Sequence, residues 1–361
     1  MTTMTLPQRP YAAHQRVRLL GPNWFTCVMG TGIVANAAIT LPLRLPGQKA
    51  AATGVWLLAA ALLVTLSTIG IMNRDRIRAH ALDPAMAPFF GAPPMAMLTV
   101  GAGTLLVGRD ILGLPLALTI DAVLWTAGTL SGLVSTVAIP YIMVIRQGRT
   151  LDMASPTWLM PVVPPMVSAA TGALLVPYLP PGLPRETLLI GCTAMFTLSL
   201  LASALIISLV WRRLTEIKAG PAQLVPTLWI VLGPLGQSIT AACLLSKAAP
   251  ESYNAFAMIY SVPVGAFALF WLCRATAITL GTARKGMPFA LTWWAFTFPV
   301  GTCVTGLSGL ASRTGSAPLQ WAAATLYALL VLAWITVGVR TVRAIAGGEL
   351  AGIPRPVTLG S

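Results

Sequence analysis

Long apolar segments recur along the whole chain, and they constrain its fold more than any other feature. Each has about 20 residues with few charges, the length that a helix needs to cross a hydrocarbon layer about 30 Å thick. Of the 361 residues, 56% are hydrophobic and 9% are charged, whereas soluble domains have roughly 25% charged residues. A helix satisfies its own backbone hydrogen bonds in lipid, and the alternating strands typical of a barrel are not found in the sequence. The sequence therefore predicts an all-α integral membrane protein.

Ten such segments can be counted. They start near Asn23, Ala51, Pro88, Pro115, Trp158, Glu186, Gln223, Tyr253, Pro288 and Pro318. The prediction is a single ten-helix transmembrane domain over residues 22–345, between a cytoplasmic N-terminal segment, 1–21, and a cytoplasmic C-terminal tail, 346–361. The first apolar segment contains "GPNWFTCVMGTGIVA", which is rich in glycine and polar atoms and is not typical of a cleaved signal peptide.

Lysine and arginine are distributed unevenly between the loops. Of the 23 in the chain, six fall on the odd-numbered gaps: Arg44, Lys49, Arg109, Arg185, Lys247 and Arg313. The others lie on the even gaps and the termini. Because positive residues stay on the cytoplasmic side, both termini are predicted to be cytoplasmic in a multi-pass protein of the plasma (cell inner) membrane. The charges form no basic cluster interleaved with aromatic rings, so the net charge of +14 does not indicate nucleic-acid binding.

A repeated interruption distinguishes the odd-numbered segments. Helix breaks are predicted at Gly30, Pro94, Pro164, Pro234 and Pro299, which are separated by 64, 70, 70 and 65 residues. The even-numbered segments are nearly free of central proline, with Pro263 as an exception. The spacing predicts five repeats of one helical hairpin each. The alternative is that membrane helices simply tolerate proline and glycine, without any repeat.

Breaking five helices has a physical consequence. A central proline removes one backbone donor and frees the carbonyl four residues back, which lipid tolerates only where the freed groups face protein or water. We therefore expect the five interrupted helices to surround a central pore, with five smooth helices outside against the lipid bilayer. Exposed N–H groups at the half-helix ends would then favour small anions in that pore.

The same register identifies candidate pore residues. The positions just before the breaks form an apolar collar that includes Met29, Val163 and Phe298, and Phe298 is the candidate gate. Hydroxyl and amide residues follow the breaks and are the candidates for anion contact: Thr31, Ser168, Thr171, Gln237, Ser238, Thr302 and Thr305. The alternative for each of them is ordinary helix packing, in which small side chains let backbones approach closely.

One carboxylate falls inside a predicted segment. Asp121 lies about six residues into the fourth segment, where an ionised side chain is unfavourable unless it is paired or wetted. Two alternatives are open. Asp121 carries a proton alongside an anion, which makes the protein a coupled secondary transporter, or it is an interfacial carboxylate paired with Arg109.

The sequence contains no pattern for catalysis. The stretch "GLSG" would need a histidine base near Ser308, and the two histidines, His14 and His80, lie in predicted cytoplasmic segments. The five cysteines form no CxxC pair, and no cluster of metal ligands is present. We therefore expect neither an enzyme nor a bound metal or cofactor. A non-transporting membrane scaffold remains the alternative to a transporter or channel.

Four segments in combination resemble a known family. "GPNWFTCVMGTGIVA", "WLMPVVPPMVSAATGALL", "LGPLGQS" and "WWAFTFPVGT" are similar to signature segments of the tellurite-resistance/dicarboxylate transporter family, which includes the plant guard-cell slow anion channels. The resemblance extends from about Pro22 to Arg343. One departure is that the first segment has Gly30 and Gly32 but no central proline.

The resemblance implies a fold and a function. The fold is ten helices in five hairpins around a central pore, often in a homotrimer. The function is transport or conduction of anions such as malate and other C4-dicarboxylates, sulfite, chloride or nitrate, with export as the expected direction. By the match to "FTFP", the pore-blocking phenylalanine of the family corresponds to Phe298. The sequence does not decide between a channel and a coupled carrier.

Overall fold

The computed structural model describes residues 21–44, 46–146, 148, 150, 153–216, 220–249 and 252–347, apart from the side chains of Arg76 and Ser252. Every regular element in these residues is a helix, which confirms the all-α prediction. Nearly all of the predicted cytoplasmic segment 1–21 and tail 346–361 lies outside the described residues, so both stay predictions.

Ten α-helices of 12 or more residues build the described fold. They are α1 (Phe25–Thr40), α2 (Gln48–Met72), α3 (Ala92–Gly103), α4 (Leu114–Tyr141), α5 (Pro164–Leu175), α6 (Leu183–Glu216), α7 (Leu232–Ala248), α8 (Ser252–Ala283), α9 (Phe298–Thr314) and α10 (Ala317–Ala346). Two shorter helices, Arg74–His80 and Arg109–Leu112, follow α2 and α3, and α3 is joined to the second of these by a π-helical turn, Thr104–Gly108.

The odd-numbered and even-numbered helices are built differently. Each odd-numbered helix is preceded by a 3₁₀ segment: Pro22–Trp24, Ala87–Gly91, Pro156–Leu159, Ala222–Val231 and Leu291–Phe296. The even-numbered helices are single α-helical runs of 25 to 34 residues. The interruption predicted for the odd-numbered segments is therefore a change from 3₁₀ to α geometry.

Four of the predicted breaks lie where an α-helix begins. Pro164 is the first residue of α5, Pro299 is the second of α9, and Pro94 and Pro234 are the third residues of α3 and α7. The N–H groups of a first helical turn have no partner within the helix, so proline is accommodated there without losing a hydrogen bond.

The predicted break at Gly30 is wrong. Helix α1 runs from Phe25 to Thr40 without interruption, because glycine keeps its N–H group and does not clash with the preceding turn. Gly30 instead permits a close approach between helices, since a Cβ at this position would overlap Thr297 Oγ1.

Two of the N–H groups that were expected to be free at the half-helix ends are paired, one in α5 and one in α9. Pro164 and Pro165 have no N–H group, and the next amide, Met166 N, donates to Val163 O at 2.9 Å. At the start of α9, Gly301 N donates to Thr297 O, also at 2.9 Å. The acceptors are carbonyl groups of the residues just before each helix, so these two amides are not available to an anion.

The odd-numbered helices form a closed inner ring. In this ring α1 contacts α3, α3 contacts α5, α5 contacts α7, α7 contacts α9, and α9 contacts α1. Each even-numbered helix packs against the odd-numbered helix just before it in the chain. Burial follows this arrangement. The inner segments Ala87–Leu112 and Ala222–Ala248 are 78% and 83% buried over their most apolar stretch, against 17 to 39% for the even-numbered helices.

Seven helical segments in the described residues are long and apolar enough to cross a membrane. They are Gln48–Met72, Ala87–Leu112, Leu114–Arg146, Leu183–Glu216, Ala222–Ala248, Tyr253–Ala283 and Ala317–Ala346. Helices α1, α5 and α9 have only 16, 12 and 17 residues. Several membrane crossings are thus supported, and the exact set of ten spans in five hairpins stays a prediction.

Candidate functional site

A cavity of about 170 Å³ lies within the inner ring and is lined by all five of its helices. The wall residues recur at intervals of three or four along each helix, which is the spacing of a single helical face. They include Ile33, Asn36 and Thr40 on α1, Thr99 and Ala102 on α3, Thr171 and Leu174 on α5, Gln237, Thr240, Leu244 and Lys247 on α7, and Phe298, Thr305, Ser308 and Ser312 on α9. This face combines aliphatic groups with hydroxyls, amides and one ammonium.

Phe298, the candidate gate, lies on the cavity wall at the start of α9. It is the first residue of α9, lines the cavity and is 3% exposed. Met29 and Val163, the other predicted collar residues, belong to the same buried apolar cluster as Phe298 but do not line the cavity. An ion in this cluster would lose its hydration without gaining hydrogen bonds, so the cluster is a barrier to charge.

The backbone just before Phe298 is fixed by neighbouring groups. Thr297 is fully buried, and its Oγ1 donates to Trp294 O at 2.7 Å. Trp294 Nε1 donates in turn to Thr341 Oγ1 of α10 at 3.1 Å. With Gly30 of α1 packed against Thr297, the position of the Phe298 Cα is held from two sides, which leaves rotation of its side chain as the simplest way to move the ring.

Four of the predicted pore residues lie on the cavity wall: Phe298, Thr171, Gln237 and Thr305. Thr305 Oγ1 lies 2.7 Å from Thr240 Oγ1 and also donates to Thr302 O at 3.0 Å. These residues come from three helices, so the inner ring brings together side chains that are far apart in the sequence.

Two predicted contact residues face the outer helices instead. Thr31 Oγ1 accepts a hydrogen bond from Trp334 Nε1 of α10 at 3.1 Å. Ser168 Oγ accepts from Thr129 Oγ1 of α4 at 3.0 Å. Neither residue lines the cavity, because the one-dimensional distance from a helix break does not fix the direction in which a side chain points around the helix.

Ser238 and Thr302 also contact protein rather than the cavity. Ser238 Oγ donates to Leu235 O at 2.9 Å. Thr302 Oγ1 lies 2.7 Å from Pro299 O and 3.2 Å from Gly233 O, so it contributes to the contact between α9 and α7. For these two residues the structure favours the packing alternative.

The sequence register missed several wall residues. Asn36, Thr40, Thr99, Thr240, Lys247, Ser308 and Ser312 all line the cavity. The signal was available, because Thr240 and Lys247 follow Gln237 by three and ten residues, and Ser312 follows Thr305 by seven. Residues three, four or seven positions from a predicted wall residue lie on the same helical face, and this rule, applied repeatedly, identifies the missed wall residues of α7 and α9.

Asp121 is buried one helix away from the cavity. It lies in α4, is 0% exposed, and neither carboxylate oxygen has a hydrogen-bond or ion-pair partner among the described residues. The predicted pairing with Arg109 is therefore wrong. The side chain packs against Gly101 of α3, where an added Cβ would lie 2.7 Å from Asp121 Oδ1. Asp121 is thus a buried acid without a hydrogen-bond or ion-pair partner among the described residues.

A second cavity, of about 380 Å³, lies between α7, α8, α9 and α10. The described residues that line it are mostly aliphatic and include no charged side chain, with Ser261, Cys303 and Thr314 as the polar exceptions. A wall of this kind offers little to replace the hydration of an ion. The cavity within the inner ring is therefore the candidate site.

Comparison with known proteins identifies the family. The model of the voltage-dependent anion channel family, SLAC1, matches residues 20–342. The chain belongs to the SLAC1 family. An uncharacterized transporter of Methanocaldococcus jannaschii is 28% identical over 342 residues, 91% of this chain and 94% of the relative. Sulfite efflux pumps of Arthroderma otae and Trichophyton rubrum are each 24% identical over 340 residues, 89% of both chains.

SLAC1 membership confirms the resemblance to the tellurite-resistance/dicarboxylate transporters and slow anion channels. It also confirms the expectation that the chain is not an enzyme, because members of the family are channels and transporters. This SLAC1-family chain is thus a multi-pass membrane protein of anion transport.

Proposed function

We propose that this SLAC1-family protein lets small anions pass along the axis of the inner ring, and that the ring of Phe298 gates the passage. One observation carries the proposal: a cavity is lined by all five inner helices, and one of its wall residues, Phe298, also belongs to a buried apolar cluster. An apolar constriction in a pore stops ions by dewetting or by steric block, and it opens when the blocking ring moves.

The cargo that we favour is a compact anion such as sulfite, nitrate or chloride, moved outward. Two relatives are named sulfite efflux pumps, and this supports both the cargo class and the direction. A cavity of 170 Å³ is similar to one of about 150 Å³ that holds a benzene-sized molecule. Malate, as the larger member of the predicted cargo class, belongs in the same test.

We also propose that all ten α-helices cross the membrane as five hairpins, with both termini cytoplasmic in the plasma membrane. The 3₁₀ segments support this count. Pro22–Trp24 lengthens α1, Leu291–Phe296 lengthens α9, and 3₁₀ geometry rises by about 2.0 Å per residue against 1.5 Å in an α-helix. The homotrimer implied by the family resemblance is part of the proposal, and the mass of the detergent-solubilised complex tests it.

The gate is tested by anion flux into liposomes. Phe298→Ala removes the ring from the cavity wall, and we expect the flux of chloride, nitrate and sulfite to rise at least several-fold. Phe296→Ala is the matched control. Its ring lies two residues earlier, outside the cavity, edge-to-face with Trp229 at 5.2 Å, so we expect its loss to leave flux near the wild-type level.

Unchanged or lower flux in a Phe298→Ala protein that elutes and unfolds like the wild type would contradict the gate. Failure of both the wild type and Phe298→Ala to move any small anion under any gradient would favour the membrane scaffold instead.

A proton-coupled carrier is the second candidate, because Asp121 is buried without a partner beside the helix that contributes Thr99 and Ala102 to the cavity. Asp121→Asn removes the titrating group and keeps the shape. For a passive pore we expect the variant to keep the pH dependence of the wild-type flux. If a pH gradient drives anions uphill in the wild type and not in the variant, the coupled carrier replaces the passive one.

A further inference from the structure

We propose that Gln237, Ser308 and Lys247 form three successive anion-binding steps on the cavity wall, here called the donor ladder. The proposal rests on the proposed function, because it concerns how anions move through the same cavity. The observation that carries it is a difference in hydrogen bonding among the wall side chains. Some already donate their hydrogen to a backbone carbonyl, and others still have a donor hydrogen available.

Most wall hydroxyls have already committed their hydrogen to a backbone carbonyl of their own helix. Thr99 Oγ1 donates to Met95 O at 2.6 Å, and Ser312 Oγ donates to Ser308 O at 2.8 Å. Thr171 Oγ1 does the same one turn back, at 2.9 Å. A hydroxyl has a single hydrogen, so these groups present only lone pairs to the cavity and repel an anion.

The members of the donor ladder are not committed in this way. Ser308 is 1% exposed, and its Oγ has no hydrogen-bond partner among the described residues. The Gln237 amide and the Lys247 ammonium also have no hydrogen-bond or ion-pair partner among the residues that the structure describes. Each keeps donor hydrogens available, and a hydrogen bond from such a donor to an anion is stronger than one between neutral groups.

The heights of the three steps follow from the packing of α7 against α9. Thr240 Oγ1 meets Thr305 Oγ1 at 2.7 Å, and a Cβ on Gly309 would lie 3.0 Å from Cys243 Cβ. The two helices therefore run parallel, with each residue of α7 level with the one about 65 positions later in α9. At 1.5 Å per residue along the helix axis, Ser308 lies about 9 Å from Gln237 and about 6 Å from Lys247, between the two.

The same register places Phe298 level with Gly233, about 6 Å below Gln237. The sequence along the axis is thus gate, amide, hydroxyl and ammonium. Lys247 is exposed, at the end of the cavity away from the gate. A second cation stands near it, since Arg313 donates to Cys243 O at 3.1 Å and to Ser246 Oγ. Both charges attract anions to this end.

The spacing defines the ligand class. A compact oxyanion or halide reaches only one step at a time, so it exchanges between several weak sites and is not held at a single strong one. Weak sites in series are what rapid passage requires. The donor ladder therefore fits sulfite, nitrate and chloride.

The test compares two serines one turn apart on α9. Both line the cavity, but only Ser308 has a free hydrogen. In a Phe298→Ala background, where the gate does not limit flux, we expect Ser308→Ala to lower sulfite and chloride flux at low anion concentration by about tenfold, the loss of a hydrogen bond to a charged group. Ser312→Ala should change it less than about twofold.

Two further variants test the donor ladder even if Ser308→Ala does not fold. Gln237→Met keeps length and removes the donors, and we expect a fall in flux similar to that of Ser308→Ala. Lys247→Met should lower flux at low ionic strength, for anions added on the Lys247 side only, and this effect should disappear in high salt because the charge is screened.

Equal losses in Ser308→Ala and Ser312→Ala, or unchanged flux in both Ser308→Ala and Gln237→Met, would overturn the donor ladder. In either case, high flux in the Phe298→Ala parent would leave the proposed function standing. No flux in that parent would overturn the proposed function, and the donor ladder with it.

Discussion

Gly236 of the inner ring has different surroundings from Gly54 and Gly191 of the outer layer. In the ring, Gly236 of α7 faces the backbone of α9, and an added Cβ would overlap Thr302 and Cys303. In the outer layer, Gly54 of α2 and Gly191 of α6 have nothing within 4 Å of such a Cβ. The contrast between these glycines teaches that α7 and α9 are in close backbone contact, whereas the surfaces of α2 and α6 at Gly54 and Gly191 are open.

The largest expected effect is a difference in stability between an alanine at Gly236 in the ring and an alanine at Gly191 in the outer layer. Gly236→Ala forces α7 and α9 apart, and we expect the free energy of unfolding in detergent to fall by about 3 kcal/mol or more. Gly191→Ala adds the same methyl group to an open helix surface, and we expect it to be neutral or to stabilise by up to about 1 kcal/mol. Denaturant titration followed by tryptophan fluorescence measures both.

Similar stability of the two alanine variants would break the comparison, because it would mean that the α7–α9 interface adjusts freely. If Gly236→Ala folds at all, its anion flux is worth measuring. A wider ring should alter flux, whereas Gly191→Ala should conduct like the wild type.

A smaller effect is expected for a buried threonine and an exposed one. Thr302 Oγ1 of α9 lies within hydrogen-bond distance of Pro299 O in its own helix and Gly233 O in α7. Thr65 Oγ1 of α2 is exposed and donates only to Ala61 O. We expect Thr302→Val to lower the free energy of unfolding by about 1 kcal/mol, and Thr65→Val to change it by less than about 0.5 kcal/mol.

The same fluorescence titration tests the threonine pair. A Thr302→Val protein as stable as the wild type would show that its hydroxyl serves only its own helix, and the contact between α7 and α9 would then depend on shape alone.

Much of the fold could be predicted because its cause is local. Each proline removes one N–H group wherever it lies, so Pro164 and Pro299 predict where an α-helix can begin. Gly30 misled the prediction because glycine changes conformational freedom and not hydrogen bonding, and neighbouring groups decided the outcome at that position. Pro263 lies inside α8 without ending it, which also shows that a single residue type does not determine a break.

The candidate site was predictable only in part. Phe298 was found from its place before a break and from the family resemblance, and Gln237 from its place after one. Thr31 and Ser168 were chosen by the same rule, but they bond to Trp334 and Thr129 of outer helices. The rotation of each helix about its own axis depends on its neighbours, and distance along the chain carries no information about it.

The sequence by itself determined that this chain is a helical membrane protein, that its helices alternate between interrupted and smooth, and that it belongs with the anion transporters. These properties follow from composition, from residues that lack an N–H group, and from motifs. Only the tertiary structure decided which side chains line the cavity and which hydroxyls still have a hydrogen to offer. The reason is that a donor such as Ser308 differs from Ser312 only in its partners, and partners are fixed by packing.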